Sequence, residues 1–136
     1  MSIYFYPSLV LAGGLGALLR YWLSKVTISG SWAWLPAGTL LANGLGCLLL
    51  GLLSGLFLQR WEVSPELQKV VLSGFLGGFT TFSAFSLETV AMLEQGEGVR
   101  AFVYVAASVI VSVSLCLVGQ TIVYLIQNVR SKIAPQ

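Results

Sequence analysis

The stretch Phe75-Leu76-Gly77-Gly78-Phe79-Thr80-Thr81-Phe82-Ser83-Ala84-Phe85-Ser86-Leu87-Glu88 decides how this chain is read. It lies within a long apolar run, where a membrane helix is expected. Its Gly-Gly-Phe-Thr-Thr step is nonetheless one that helix propensity disfavours. In hydrocarbon every backbone N–H and C=O must find a partner, so irregular backbone survives only against protein, water or an ion. Behind the step, Phe82, Ser83, Phe85, Ser86 and Glu88 alternate rings, hydroxyls and a carboxyl. This pattern predicts a broken membrane helix whose second half lines a path for something small.

Outside that stretch the composition agrees. Of 136 residues 57% are hydrophobic and 9% charged, and mean hydropathy is +0.88. A soluble domain carries about a quarter charged residues, so the class is integral membrane protein. The chain contains no His and no Asp, which removes most hydrolytic triads and most metal sites and argues against an enzyme. A net charge of +2 is too small and too scattered for nucleic acid. Cys47 and Cys116 lie in apolar stretches without a CxxC and read as small hydrophobes in helix packing. Met1-Ser2-Ile3 carries no basic region, so no signal peptide is expected.

A bilayer core of about 30 Å needs roughly twenty helical residues. Four stretches qualify, at about 3–26, 36–59, 65–94 and 99–129, in one domain covering 1–136. Pro36 opens the second span, and Arg60 and Trp61 mark its far interface. Ser64-Pro65-Glu66 is a helix start, with a cap, a first-turn proline and an acid at the positive dipole end. Gly96 and Gly98 form the last turn, and the polar tail from Arg130 is expected to fray. Four spans put both termini on one side with Arg60, Lys69, Arg130 and Lys132, against Arg20, Lys25 and Arg100 opposite. That near balance permits insertion in both orientations and an antiparallel homodimer. Gly38, Ala42 and Gly46, extended by Gly51 and Gly55, with Gly13 and Ala17 on the first span, form small-xxx-small faces for tight helix contacts within or between chains.

The polar residues at membrane depth are few. Thr39, Asn43 and Cys47 share one stripe. The Asn43 amide costs several kcal/mol in hydrocarbon without partners, and reads either as a helix–helix hydrogen bond or as part of a path. Tyr104, Ser108 and Ser112 align at i, i+4 and i+8, as a donor track or as hydroxyls bonded back to their own helix. Phe82 and Phe85 share a face. Ring edges are electropositive, so turned inward they offer an anion a weakly attractive wall; turned outward they meet lipid or core. Arg20 either snorkels to the headgroups or forms a basic vestibule. Glu88 needs a partner or a water-filled mouth. At the break, free carbonyls before Gly77 suit a cation such as Na⁺ and free N–H groups after Thr81 suit an anion. Two chains meeting antiparallel would share one buried ion.

Three segments carry a resemblance. Gly13-Gly14-Leu15-Gly16-Ala17-Leu18-Leu19-Arg20-Tyr21, Gly38-Thr39-Leu40-Leu41-Ala42-Asn43-Gly44-Leu45-Gly46 and Gly74 through Glu88 resemble the signature segments of the Fluc (CrcB) family of fluoride channels. The resemblance spans the first three helices. The fourth is similar in length and in its Tyr104, Ser108, Ser112 face. It implies an all-α, dual-topology antiparallel homodimer with two pores, exporting fluoride passively across a microbial cytoplasmic (inner) membrane. It further implies a fluoride path of Asn43, Phe82, Phe85, Tyr104, Ser108, Ser112 and Thr39. Arg20 and Glu88 would take vestibule or structural roles, and the backbone carbonyls of Gly77 and Thr80 would hold a structural Na⁺ at the dimer centre. The rival readings are a small dual-topology multidrug exporter and a non-transporting membrane scaffold. The exporter needs a membrane-embedded carboxylate, and the first helix carries Arg20 in that place, leaving Glu88 as the candidate acid.

Overall fold

The computed structural model describes residues 3–27, 34–59 and 63–133, and among them it is all-helical. Helix α1 runs Phe5–Thr27 and α2 runs Ala37–Gln59. A third rod combines α3 (Pro65–Lys69), a π-helical turn (Val70–Leu76) and α4 (Gly77–Phe79). After two extended residues the chain resumes as α5 (Phe82–Glu94), then α6 (Gly98–Ile133). Among the described residues three stretches can cross a membrane by length and composition: Ala37–Phe57, Pro65–Glu94 and Gly98–Lys132. The first expected span, α1, is a helix of 23 residues that carries Arg20 and Lys25, and it is not among those three.

The helix signals act locally as the sequence predicts. Ser64 accepts the Leu67 N–H at 3.2 Å, Pro65 opens α3, and Glu66 sits in its first turn. Gly96 adopts φ 77°, a left-handed value that a residue with a Cβ takes at a cost. Two expectations need correction. The tail does not fray at Arg130, because α6 stays helical through Ile133. At 36 residues it is about 54 Å long, so its end extends past any bilayer core and tolerates polar side chains. The break is also shorter than Gly77–Thr81: Gly77 and Gly78 are helical, and only Thr80 (φ −85°, ψ 157°) and Thr81 (φ −151°, ψ 122°) are extended. The loop residues Gly30 and Trp32 and the interface pair Arg60 and Trp61 lie outside the described residues.

Packing explains the small residues. Helix α2 lies chiefly along α6, while α1 lies along the π-helical turn and α4. A Cβ at Gly51 would stand 2.1 Å from the Cys116 carbonyl oxygen, and one at Gly16 would stand 2.1 Å from that of Phe75. Both obstacles are backbone, so neither contact relaxes. Among the glycines of α1 the tightest position is Gly16. Gly38, Ala42 and Gly46 are all buried inside the chain. Tyr104 is fully buried, packed with Met92 and Ala101 and flanked by Leu35, Leu40 and Phe85. This cluster anchors α5 against α6 next to the break.

Candidate functional site

The break is held by side chains from two other helices. In a continuous helix the Thr81 N–H would bond to Gly77 O and the Phe82 N–H to Gly78 O. Here the Thr81 N–H donates to Asn43 Oδ1 at 2.7 Å, and Asn43 Nδ2 donates back to Thr81 O at 2.9 Å. Arg20 Nε donates to Gly78 O at 3.2 Å. Thr80 folds back, with its N–H and its hydroxyl both donating to Leu76 O at 2.9 Å. Thr81 Oγ1 caps α5 by accepting the Ala84 N–H at 3.1 Å. Asn43, Arg20 and Thr81 thus satisfy groups that an interrupted helix exposes in hydrocarbon, and the Thr80 hydroxyl bonds back to its own half-helix.

Against this break lies a groove of about 320 Å³. It is lined by Asn43 and Cys47 of α2, Thr80 and Thr81 of the break, Phe82 and Phe85 of α5, and Ser108, Val109, Ser112 and Val113 of α6. Five of the residues singled out from the sequence for a path, Asn43, Phe82, Phe85, Ser108 and Ser112, therefore share one wall. Phe82 and Phe85 have ring centroids 5.4 Å apart, and Phe85 lies 5.3 Å from the Tyr104 ring. The Phe82 side is open, with that residue 79% exposed.

The remaining two, Thr39 and Tyr104, stand beside the groove and face Glu88. Thr39 Oγ1 donates to Glu88 Oε1 at 2.7 Å, and Tyr104 OH donates to Oε2 at 2.6 Å. Glu88 thus has the partners that a membrane-depth carboxylate requires. Ser108 is 6% exposed. Its hydroxyl lies near that of Tyr104, whose own proton goes to Glu88, and Ser108 Oγ makes no hydrogen bond of ordinary geometry among the described residues. Ser112 lies beside the Cys47 thiol.

The sequence reading missed several parts. Thr81 was read as a breaker, and it is also the groove's floor and the partner of Asn43. Arg20 was read as a headgroup or vestibule charge, and its bond from Nε to Gly78 O at the break was not foreseen. Val109 and Val113 have no chemical signature, but they follow Ser108 and Ser112 by one residue, so the hydroxyl register already points to them. Among the described residues no cluster of three or more His, Cys, Asp or Glu side chains is placed to hold a metal.

Residues 8–120 match the family described as CrcB-like protein, Camphor Resistance (CrcB). The chain belongs to the CrcB family. A Rhizobium etli protein named fluoride-specific ion channel FluC is 40% identical over 109 residues, covering 80% of this chain and 87% of that one. A Pyrococcus abyssi protein of the same name is 42% identical over 111 residues, covering 82% and 89%. Fluoride-specific ion channel FluC 1 of Staphylococcus aureus is 38% identical over 114 residues, covering 84% and 92%. The family match contains the break, the groove and the Glu88 contacts, and it ends within α6. Like its CrcB relatives the chain is an integral membrane protein.

Proposed function

We propose that this chain is a passive fluoride-selective channel and that the groove is the wall of its path. The observation that carries the reading is the buried Ser108 hydroxyl, a polar group without a bond of ordinary geometry in a groove shared with Asn43 and two phenyl rings. Buried polar groups nearly always have partners, and an anion crossing the groove would be one. The names of the three relatives supply the anion's identity.

Fluoride is small and strongly hydrated, so a pore must replace water contacts and still release the ion. The Ser108 hydroxyl is one donor. Asn43 spends one amide hydrogen on Thr81 and has a second. The edges of Phe82 and Phe85 add weak attraction. Thr39 and Tyr104 extend the hydroxyl row beyond the groove, where Glu88 holds their protons and sets their orientation. Conduction follows from the ion's own gradient and requires no covalent step.

The proposal includes assembly. At about 35 Å for its 23 residues, α1 is long enough to be a fourth span. A second copy inserted antiparallel would cover the open Phe82 side and give two pores. The groups at the break suit a structural Na⁺ between the copies: the N–H that would have served Gly77 O goes to Asn43 instead, and Thr80 is extended. The Gly77 and Thr80 carbonyls would hold it, and the ion would supply a fixed positive charge joining the two breaks. In a microbial inner membrane such a dimer would let fluoride out of the cytoplasm.

Fluoride efflux from proteoliposomes, read with a fluoride electrode, tests this. Wild type empties the vesicles of fluoride, and Phe82→Ile or Phe85→Ile slows efflux at least about tenfold while the protein keeps its wild-type elution volume. A stable wild-type assembly that passes no fluoride would favour a scaffold. Normal flux in both variants would remove the ring edges from the mechanism.

A further inference from the structure

Gly13, Gly16 and Arg20 stand at i, i+3 and i+7 of α1, a single face of a helix. This face lies against the π-helical turn and α4 at backbone contact. A Cβ at Gly78 would stand 2.3 Å from Gly13 O, and one at Gly16 2.1 Å from Phe75 O. The close approach brings the Arg20 side chain to the last turn before the break. There Nε donates to Gly78 O at 3.2 Å, the carbonyl whose helical donor, the Phe82 N–H, has been carried off by the extended residues Thr80 and Thr81.

We infer that Arg20 is a positioning residue for the channel. Its Nε–H clamps the carbonyl end of the first half-helix, as Asn43 clamps Thr81 on the other side. With both clamps in place the break has one geometry, and Phe82 and Thr81 face the groove. With the Arg20 clamp released, the Gly78 carbonyl has no helical donor at membrane depth, and the half-helix end must shift to find one. This role depends on a donor at the ε position rather than on the charge. It rests on the fluoride-channel reading.

Side-chain chemistry separates donor from charge. The Nε2 of a glutamine is as many bonds from Cα as the Nε of arginine, donates hydrogen and is neutral. A lysine keeps the charge, but its donor is one atom further out. Purified wild type, Arg20→Met, Arg20→Gln and Arg20→Lys are reconstituted at equal protein, and fluoride efflux is measured at low and high ionic strength. The clamp predicts that Arg20→Met and Arg20→Lys lose at least about tenfold in flux and that Arg20→Gln recovers to within about threefold of wild type. It also predicts that ionic strength changes the wild-type and Arg20→Gln rates in the same proportion. A vestibule charge predicts the opposite: Arg20→Lys active, Arg20→Gln inactive and wild type slowed by salt. That result overturns the inference.

A measurement on the wild-type protein needs no variant to fold. The Arg20 Nε–H should exchange with D₂O at least about tenfold more slowly than that of Arg130 on the exposed end of α6, and equal rates overturn the clamp. Wild type that conducts no fluoride but protects the Arg20 Nε–H would refute the channel reading and leave the clamp standing.

Discussion

Asn43 shows how one residue can both hold a helix break and line a groove. Its amide closes a two-bond ring on the Thr81 backbone and lines the groove with what remains. The sequence exposed it as an anomaly because an amide at membrane depth must have a partner. It could not name that partner, which lies 38 positions away on backbone that carries no residue-type signal. The two readings left open for Asn43, helix–helix bond and path wall, are compatible in this geometry. Asn43→Leu removes both partners of Thr81 and leaves an N–H and a C=O unpaired, at about 1–3 kcal/mol each. The expected outcome is a lowered thermal midpoint in detergent together with lost flux. An unchanged midpoint would mean that the break does not depend on this amide.

At the scale of the element, the third rod was legible as interrupted, but for a partly different reason. Gly77 and Gly78 look like helix breakers and remain helical. At Gly78 the missing Cβ serves close packing, since one there would strike Gly13. The bend falls on Thr80 and Thr81: the Thr80 hydroxyl adds a second bond to Leu76 O beside the intact backbone one, and the Thr81 hydroxyl caps the Ala84 N–H. Propensity alone cannot make this distinction, because it scores residues and not the neighbours they approach. The α2 side of the break is equally tight: a Cβ at Gly46 would stand 2.3 Å from Thr80 Cγ2. Gly46→Ala should therefore push Thr80 and cost about 1–3 kcal/mol by overpacking. A lowered thermal midpoint, with fluoride flux reduced, is the expected reading; wild-type values for both would show that the break has slack.

For the whole molecule, composition was enough to read a membrane protein, and the helix periods were enough to read its rods. What the sequence left undecided was which faces meet within the chain. The small-residue stripes suited contacts within or between chains, and they are used within it, between α2 and α6 and between α1 and the broken rod. The proposed dimer would then use other surface. The open side of the groove, with Phe82 79% exposed, is the surface that a second copy would cover. Dual topology is tested by replacing Cys47 and Cys116 with alanine, placing one cysteine at Ser131, and labelling intact and opened cells with an impermeant thiol reagent. About half of the protein should label from outside; labelling confined to one side would contradict the antiparallel dimer. The account depends above all on the groove being the route of the ion, and Ser108→Ala tests that most directly. It removes one hydroxyl whose oxygen has no hydrogen bond of ordinary geometry to lose, so the fold should be undisturbed. In proteoliposomes at equal protein, wild type should release fluoride rapidly and Ser108→Ala at least about tenfold more slowly, with unchanged elution and thermal midpoint. Equal fluoride release by the two proteins would contradict it.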